Sequence, residues 1–121
     1  MAQIPSWQDE EPRNNHGAVG WTIFAEKGYN PAKTIHEAPL EGFHSLTYRM
    51  LQAGKSEPAH SHETKEHVFY VIEGEADVKL DGKVHKVKAG DAIHLPPKTQ
   101  HRFINDSAGW LTHLAISSIV E

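Results

Sequence analysis

Residues 54–74 read GKSEPAHSHETKEHVFYVIEG. The stretch sets His60, His62 and His67 between a glycine-containing turn and the apolar run Val68-Phe69-Tyr70-Val71-Ile72. On a β-strand, residues two apart share a face, so His60 and His62 point the same way. The β-branched and aromatic residues that follow His67 mark a second strand. With the two strands as neighbours, three imidazoles converge. Neutral imidazole is the commonest protein metal ligand, so the stretch reads as most of a metal site, with His101 a fourth candidate from further down the chain.

The sequence on either side gives the frame. Glu75–Leu80 alternates Ala76, Val78 and Leu80 with charged residues, the pattern of a half-buried strand. Asp81-Gly82 is a strong signal for a type I′ hairpin turn, with residues 83–89 returning. Val84 and Val87 have opposite parity in that return strand, which predicts a bulge between them. Further strands are expected at Gly20–Phe24, Phe43–Gln52, Ala92–Leu95, His101–Ile104 and Trp110–Ile119, with a short one around Thr34–His36. No helical period of ten or more residues appears. Short strands separated by turn signals argue an all-β sandwich or barrel. Residues 1–18 are polar, with Pro5 and Pro12 and no period, and read as an irregular N-terminal arm; residues 19–121 then make one domain.

A chain of 121 residues suits a single core. The net charge of −4 without a basic cluster argues against nucleic acid or an anionic membrane as partner. No apolar run is long enough for a transmembrane helix, and the first residues lack the regions of a signal peptide, so the cytoplasm is the expected compartment. The absence of cysteine excludes disulfides and thiolate ligands.

Two motifs make a family resemblance. Gly54, His60, His62 and Gly74 match the first cupin motif, G-x5-H-x-H-x(3,4)-E-x6-G, and Gly90, Pro96, His101 and Asn105 match the second, G-x5-P-x-G-x2-H-x3-N. The chain therefore resembles small single-domain cupins. The resemblance implies a jelly-roll barrel (a double-stranded β-helix), one divalent metal inside it and, commonly, a homodimer. Two positions depart from the motifs. Where a glutamate ligand is expected six residues before Gly74 the chain has His67, while Glu66 stands one residue earlier as the alternative ligand. Adjacent strand residues face opposite ways, so only one of the two faces inward unless a bulge intervenes, and the spacing to Gly74 favours His67. Lys98 replaces a motif glycine, which predicts a type I turn, because a left-handed conformation is costly for lysine.

With His60, His62, His67 and His101 as ligands, the site resembles those of manganese-type bacterial monocupins and cupin-type polyketide cyclases. Four neutral ligands leave the ion its full double charge, which favours Lewis-acid chemistry. Imidazole suits Zn, Cu, Fe and Ni, and the resemblance adds Mn. Phe69 and Val71 share the parity of His67 and are expected to line the cavity. Tyr48 and Arg49 are adjacent, so one of them faces in; Tyr48 is the one expected in the pocket and Arg49 on the surface. His113, if inward, reaches the pocket as a general acid or base. Asn105 is expected to fix a turn, and His16, His36, His44, His85 and His94 are expected to be ordinary packed or solvated histidines.

The expected function is a metal-dependent oxygenase acting on a small enolisable or aromatic compound. The alternatives are a non-redox isomerase, lyase or cyclase, and a small-ligand sensor without catalysis. Val68, Tyr70 and Ile72 have the parity opposite to His67 and should form an outward apolar row. Covering it predicts a homodimer, through this strand or through an exchanged arm carrying Ile4 and Trp7.

Overall fold

The alternating residues do pair into sheets. The computed structural model describes residues 3–28 and 38–120. Its strands are β1 (Arg13–Asn15), β2 (Ala18–Ala25), β3 (Ser45–Leu51), β4 (Lys65–Glu73), β5 (Glu75–Leu80), β6 (Lys83–Lys88), β7 (Ala92–Leu95), β8 (His101–Ile104) and β9 (Leu111–Ile119). One antiparallel sheet has the order β1-β2-β3-β9-β4-β7, and the other β6-β5-β8. No α-helix occurs among the described residues; one 3-10 turn covers Trp7–Asp9. The expected strand around Thr34–His36 lies outside the described residues.

Both sheets contribute to one core, which includes Leu51, Phe69, Val71, Val78, Leu95 and Phe103. Strand β4 shows how the alternation divides. Phe69 and Val71 are buried, whereas Val68, Tyr70 and Ile72 are 38%, 44% and 41% exposed. Parity therefore places the outward apolar row as expected.

Turn chemistry sets the registers. Asp81 and Gly82 have φ of 47° and 86°, the type I′ signature. The β5–β6 ladder runs from Glu75↔Lys88 to Leu80↔Lys83 without a shift, so the bulge expected between Val84 and Val87 is absent. Val87 is buried and Val84 faces solvent, which resolves their opposite parity without an extra residue. Lys98 also departs from expectation: its φ is 69°, the conformation a glycine would adopt, and the turn is not type I. The Lys98 N–H donates to the His62 carbonyl at 2.7 Å, and the Thr99 N–H to Pro96 at 3.3 Å. These bonds hold lysine in a left-handed conformation that costs roughly 1–2 kcal/mol.

The N-terminal residues are more ordered than an irregular arm. Strand β1 pairs with β2 through Arg13↔Gly20 and Asn15↔Ala18. The hairpin turn is His16-Gly17, with φ of 55° and 87°, again type I′. Trp7 stacks flat on Tyr48 at 4.3 Å and meets Trp21 edge-on at 4.9 Å. The arm thus packs on the outer face of its own β2–β3 pair.

Candidate metal centre

The segment between β3 and β4 runs along β8. Ser56 bridges to Ile104 and His60 to His101, and the Glu57 N–H donates to the Phe103 carbonyl at 3.0 Å. Pro58 has no N–H to donate, and the segment makes isolated bridges rather than a full strand. The pairing is reciprocal at the histidines: the His60 N–H donates to His101 at 3.1 Å, and the His101 N–H to His60 at 2.8 Å. Two of the expected ligands are thereby tied to each other through their backbones. His67 enters from the sheet opposite, on β4, and His62 lies between.

The four rings converge. Centroid separations are 4.2 Å for His60–His101, 4.6 Å for His62–His67, 5.2 Å for His60–His62, 5.7 Å for His62–His101 and 6.3 Å for His67–His101. Imidazoles bound at about 2.1 Å to one ion put their ring centroids roughly 4.5–6.5 Å apart; four of these five separations fall in that range, and the His60–His101 pair is closer. Second contacts aim two of the rings. The Nδ1 of His60 lies 3.1 Å from the Pro58 carbonyl, and that of His101 lies 3.0 Å from the Thr99 carbonyl. With Nδ1–H donating to a carbonyl, Nε2 keeps its lone pair, the arrangement usual for a metal-binding histidine. The Nε2 of His101 is buried and has no hydrogen-bond partner, which is the fit a ligand atom requires.

Burial lowers the basicity of His62, His67 and His101. It is the first cause of the drop for His67, to about 3, and for His62, to about 4; repulsion from neighbouring histidines and Lys65 adds to it. His101 is also lowered by burial, against a raising contribution from its bond to Thr99. Neutral imidazoles are the metal-binding form.

Beneath them lies an ion pair that sequence reasoning did not find. Arg49 is 3% exposed and Glu57 2%. The Arg49 Nη2 donates to the Glu57 carboxylate and to the Asn15 carbonyl, the latter at 2.9 Å. Its Nη1 lies 3.0 Å from His113 Nε2, and Glu57 Oε1 accepts from the Phe103 N–H at 2.9 Å. Arg49 therefore faces inward, correcting the surface placement, and Tyr48 faces outward against Trp7, correcting its expected place in the pocket.

The other expected residues divide. Phe69 lines the cavity, a space of about 320 Å³, while Val71 is packed in the core and does not line it. His113 does point inward, but it is fully buried between Arg49, Phe69 and Phe103 and does not line the cavity. Burial drives its basicity well down, so this ring is placed to support the floor rather than to exchange protons with a ligand. Glu66 points away from the rings and lies 2.7 Å from His94 Nε2 on the outer face, which leaves His67 the inward residue of the pair. Asn105 holds the β8–β9 turn, donating to Leu51 and Gly109 and accepting from Ser107. His44, buried and 3.1 Å from Glu26, also lines the cavity. His36 lies outside the described residues.

Two antiparallel sheets face each other around a cluster of histidines that could hold a metal. The cupin domain family profile matches residues 47–116, more than half of the chain, and the chain belongs to that family. It is 38% identical over 61 residues to an uncharacterised protein of Methanocaldococcus jannaschii, covering 50% of this chain and 49% of that one. It is 31% identical over 77 residues to the polyketide synthase CurC of Streptomyces cyaneus, covering 61% and 49%. The chain thus spans about half the length of these curated relatives. Among solved structures, a predicted oxalate decarboxylase from Thermotoga maritima superposes with a TM-score of 0.80 at 17% identity, covering 98% of this chain and 100% of that one. The polyketide cyclase RemF of Streptomyces resistomycificus gives 0.74 at 22%, covering 100% and 81%. At these identities the likeness is one of fold.

Proposed function

We propose that the chain is a metal-dependent enzyme in which one divalent ion, held by His60, His62, His67 and His101, acts as a Lewis acid on a small oxygen-rich organic compound. The observation that carries this is the convergence of four imidazoles on one cavity, with the Nε2 of His101 buried and unpartnered. Such an ion, when bound, polarises a carbonyl and stabilises the negative charge that develops on its oxygen. The chain's own residues do the rest. The carbonyls of Pro58 and Thr99 fix two rings, and Phe69 supplies an apolar wall. Among the described residues no aspartate or glutamate lines the cavity, whereas Arg13, Arg49 and Lys65 do. A space of about 320 Å³ is at the small end for ligand sites. The likeness to CurC, a polyketide synthase, supports a polyketide-type compound as substrate. Oxygenase chemistry on an enolisable or aromatic compound is the competing outcome, and oxygen uptake by the metal-loaded protein separates the two.

Metal analysis of protein purified without added metal should find about one ion per chain. Substituting His67→Ala should raise the metal dissociation constant by at least ~100-fold, because a ligand is lost outright, whereas Glu66→Ala should change it less than about twofold. Titration with zinc reads both. The reverse ranking would return the fourth ligand to Glu66.

We also propose a homodimer formed across the outer face of the six-stranded sheet. Cross-strand pairs run Trp21↔Tyr48↔Leu114↔Tyr70 and Leu46↔Ile116↔Val68, an apolar band over four strands. Trp7 covers the Trp21–Tyr48 end, which leaves the Val68, Tyr70 and Ile72 row for a second copy. Light scattering at micromolar concentration should give twice the chain mass, and Tyr70→Lys should shift it to one chain. A monomeric wild-type protein would remove the proposal.

A further inference from the structure

We propose that His16 is a fifth imidazole of the metal centre, delivered by the β1–β2 hairpin as an exchangeable ligand. The inference rests on the metal reading above and extends it to a residue outside both cupin motifs. The ligand nitrogens of His16, His60 and His62 all lie within 4.8 Å of one another. Two nitrogens bound at about 2.1 Å to one ion are at most about 4.2 Å apart, so the three must draw in slightly, and the His16 ring, which lies 17° from parallel to that of His60, must turn to aim its lone pair at the same ion. The His16 ring stacks on that of His60 at 4.1 Å.

The hairpin is built to hold that position. His16 takes a left-handed conformation, φ 55°, which a non-glycine residue adopts at a cost. The Gly17 N–H donates to Asn14 Oδ1 at 2.9 Å and closes the turn. Gly17 itself rests against the chain leading to His60: a Cβ there would meet Ser56 O at 3.6 Å and Pro58 Cδ at 3.8 Å. The Arg49 guanidinium bonds the Asn15 carbonyl, beside His16, and also Glu57, three residues before His60. One buried ion pair thus anchors the segments that carry both stacked rings. His16 is nevertheless exposed while His60, His62 and His67 are half-buried and His101 is buried. The four inner rings are fixed by the barrel; the outer one can leave and let another ligand in. A stacked surface histidine would by itself be a packing contact. The convergence of ring nitrogens and the doubly anchored hairpin assign it to the ion.

Cobalt(II) titration followed by visible absorption tests this. His16→Ala should raise the cobalt dissociation constant by about tenfold, at the lower end of what a metal's supporting groups contribute, and should alter the d–d bands. A second substitution separates ligation from packing. The chain has no cysteine, so in His16→Cys any thiolate-to-cobalt charge-transfer band must come from position 16. The band should appear on cobalt binding and vanish on chelation. Its absence overturns the assignment of His16, whatever the affinity of the alanine variant. Failure of the wild-type protein to take up cobalt would instead refute the metal centre itself.

Discussion

Glu57→Ala should cost roughly 3–5 kcal/mol of folding stability, a large part of the 5–15 kcal/mol typical of a domain. Arg49 and Glu57 are both almost fully enclosed, so removing the carboxylate leaves a guanidinium in the interior with, among the described residues, the Asn15 carbonyl and His113 as its remaining partners. The Phe103 N–H loses its acceptor at the same time, at a further cost of about 1 kcal/mol or more. The loss should exceed the net worth of the pair, because most of it is the penalty of an uncompensated buried charge. Two further substitutions separate these contributions. Glu57→Gln keeps an acceptor for Phe103 and should recover part of the stability. The double substitution Arg49→Met with Glu57→Leu should be less damaging than Glu57→Ala alone, since no charge is then stranded. Urea unfolding at pH 7 measures all three. A change of less than about 1 kcal/mol for Glu57→Ala would show that water reaches the pair and that it does not anchor the site.

The same pair shows where sequence reasoning stopped. The all-β fold, the β5–β6 turn at Asp81-Gly82 and the outward row on β4 were legible because each depends on local rules: period two, φ > 0 at a turn, β-branched runs. The spacing of His60 and His62 and the parity of His67 point to one cavity, and the approach of the rings follows in part from the backbone pairing of His60 with His101. Strand β3 was misread because both its faces carry apolar or bulky residues. Leu46, Tyr48 and Met50 lie on one parity and Leu51 on the other, so alternation could not say which face was the core. The outer face is apolar because the arm packs there through Trp7, a contact over long sequence separation that no local pattern announces. Burying Arg49 required Glu57 from the next segment, and an isolated glutamate before a proline carries no signal of its partner. His16 lies outside both motifs; its type I′ turn with Gly17 is the local cue, and only the position of that turn over His60 gives it meaning.

Acidification of the metal-free protein should remove several kcal/mol of stability between pH 7 and pH 5. Burial lowers the folded-state pKa of His16, His62, His67, His101 and His113 below the ordinary value of 6.5. The sign follows from proton counts. As pH falls through 6.5 the unfolded chain takes up protons on these rings, while the folded chain does not until pH approaches about 4 for His62 and about 3 for His67. The unfolded state then binds more protons, so stability falls with pH across that window. A fully buried ring that stays neutral costs roughly 2 kcal/mol at pH 5. His113 should come near this value, and the half-buried rings less, because water screens them. Ordinary carboxylates are still mostly ionised at pH 5, which leaves the histidines as the main source of the slope. His113→Gln offers Arg49 a carbonyl acceptor and removes one titrating group, so its slope should be shallower by close to one proton. Urea midpoints of chelator-treated protein at half-unit steps from pH 7 to pH 5 give the slope. A flat profile would mean the rings are solvated in the folded chain and protonate as free histidine does, and a slope unchanged by His113→Gln would take that residue out of the account.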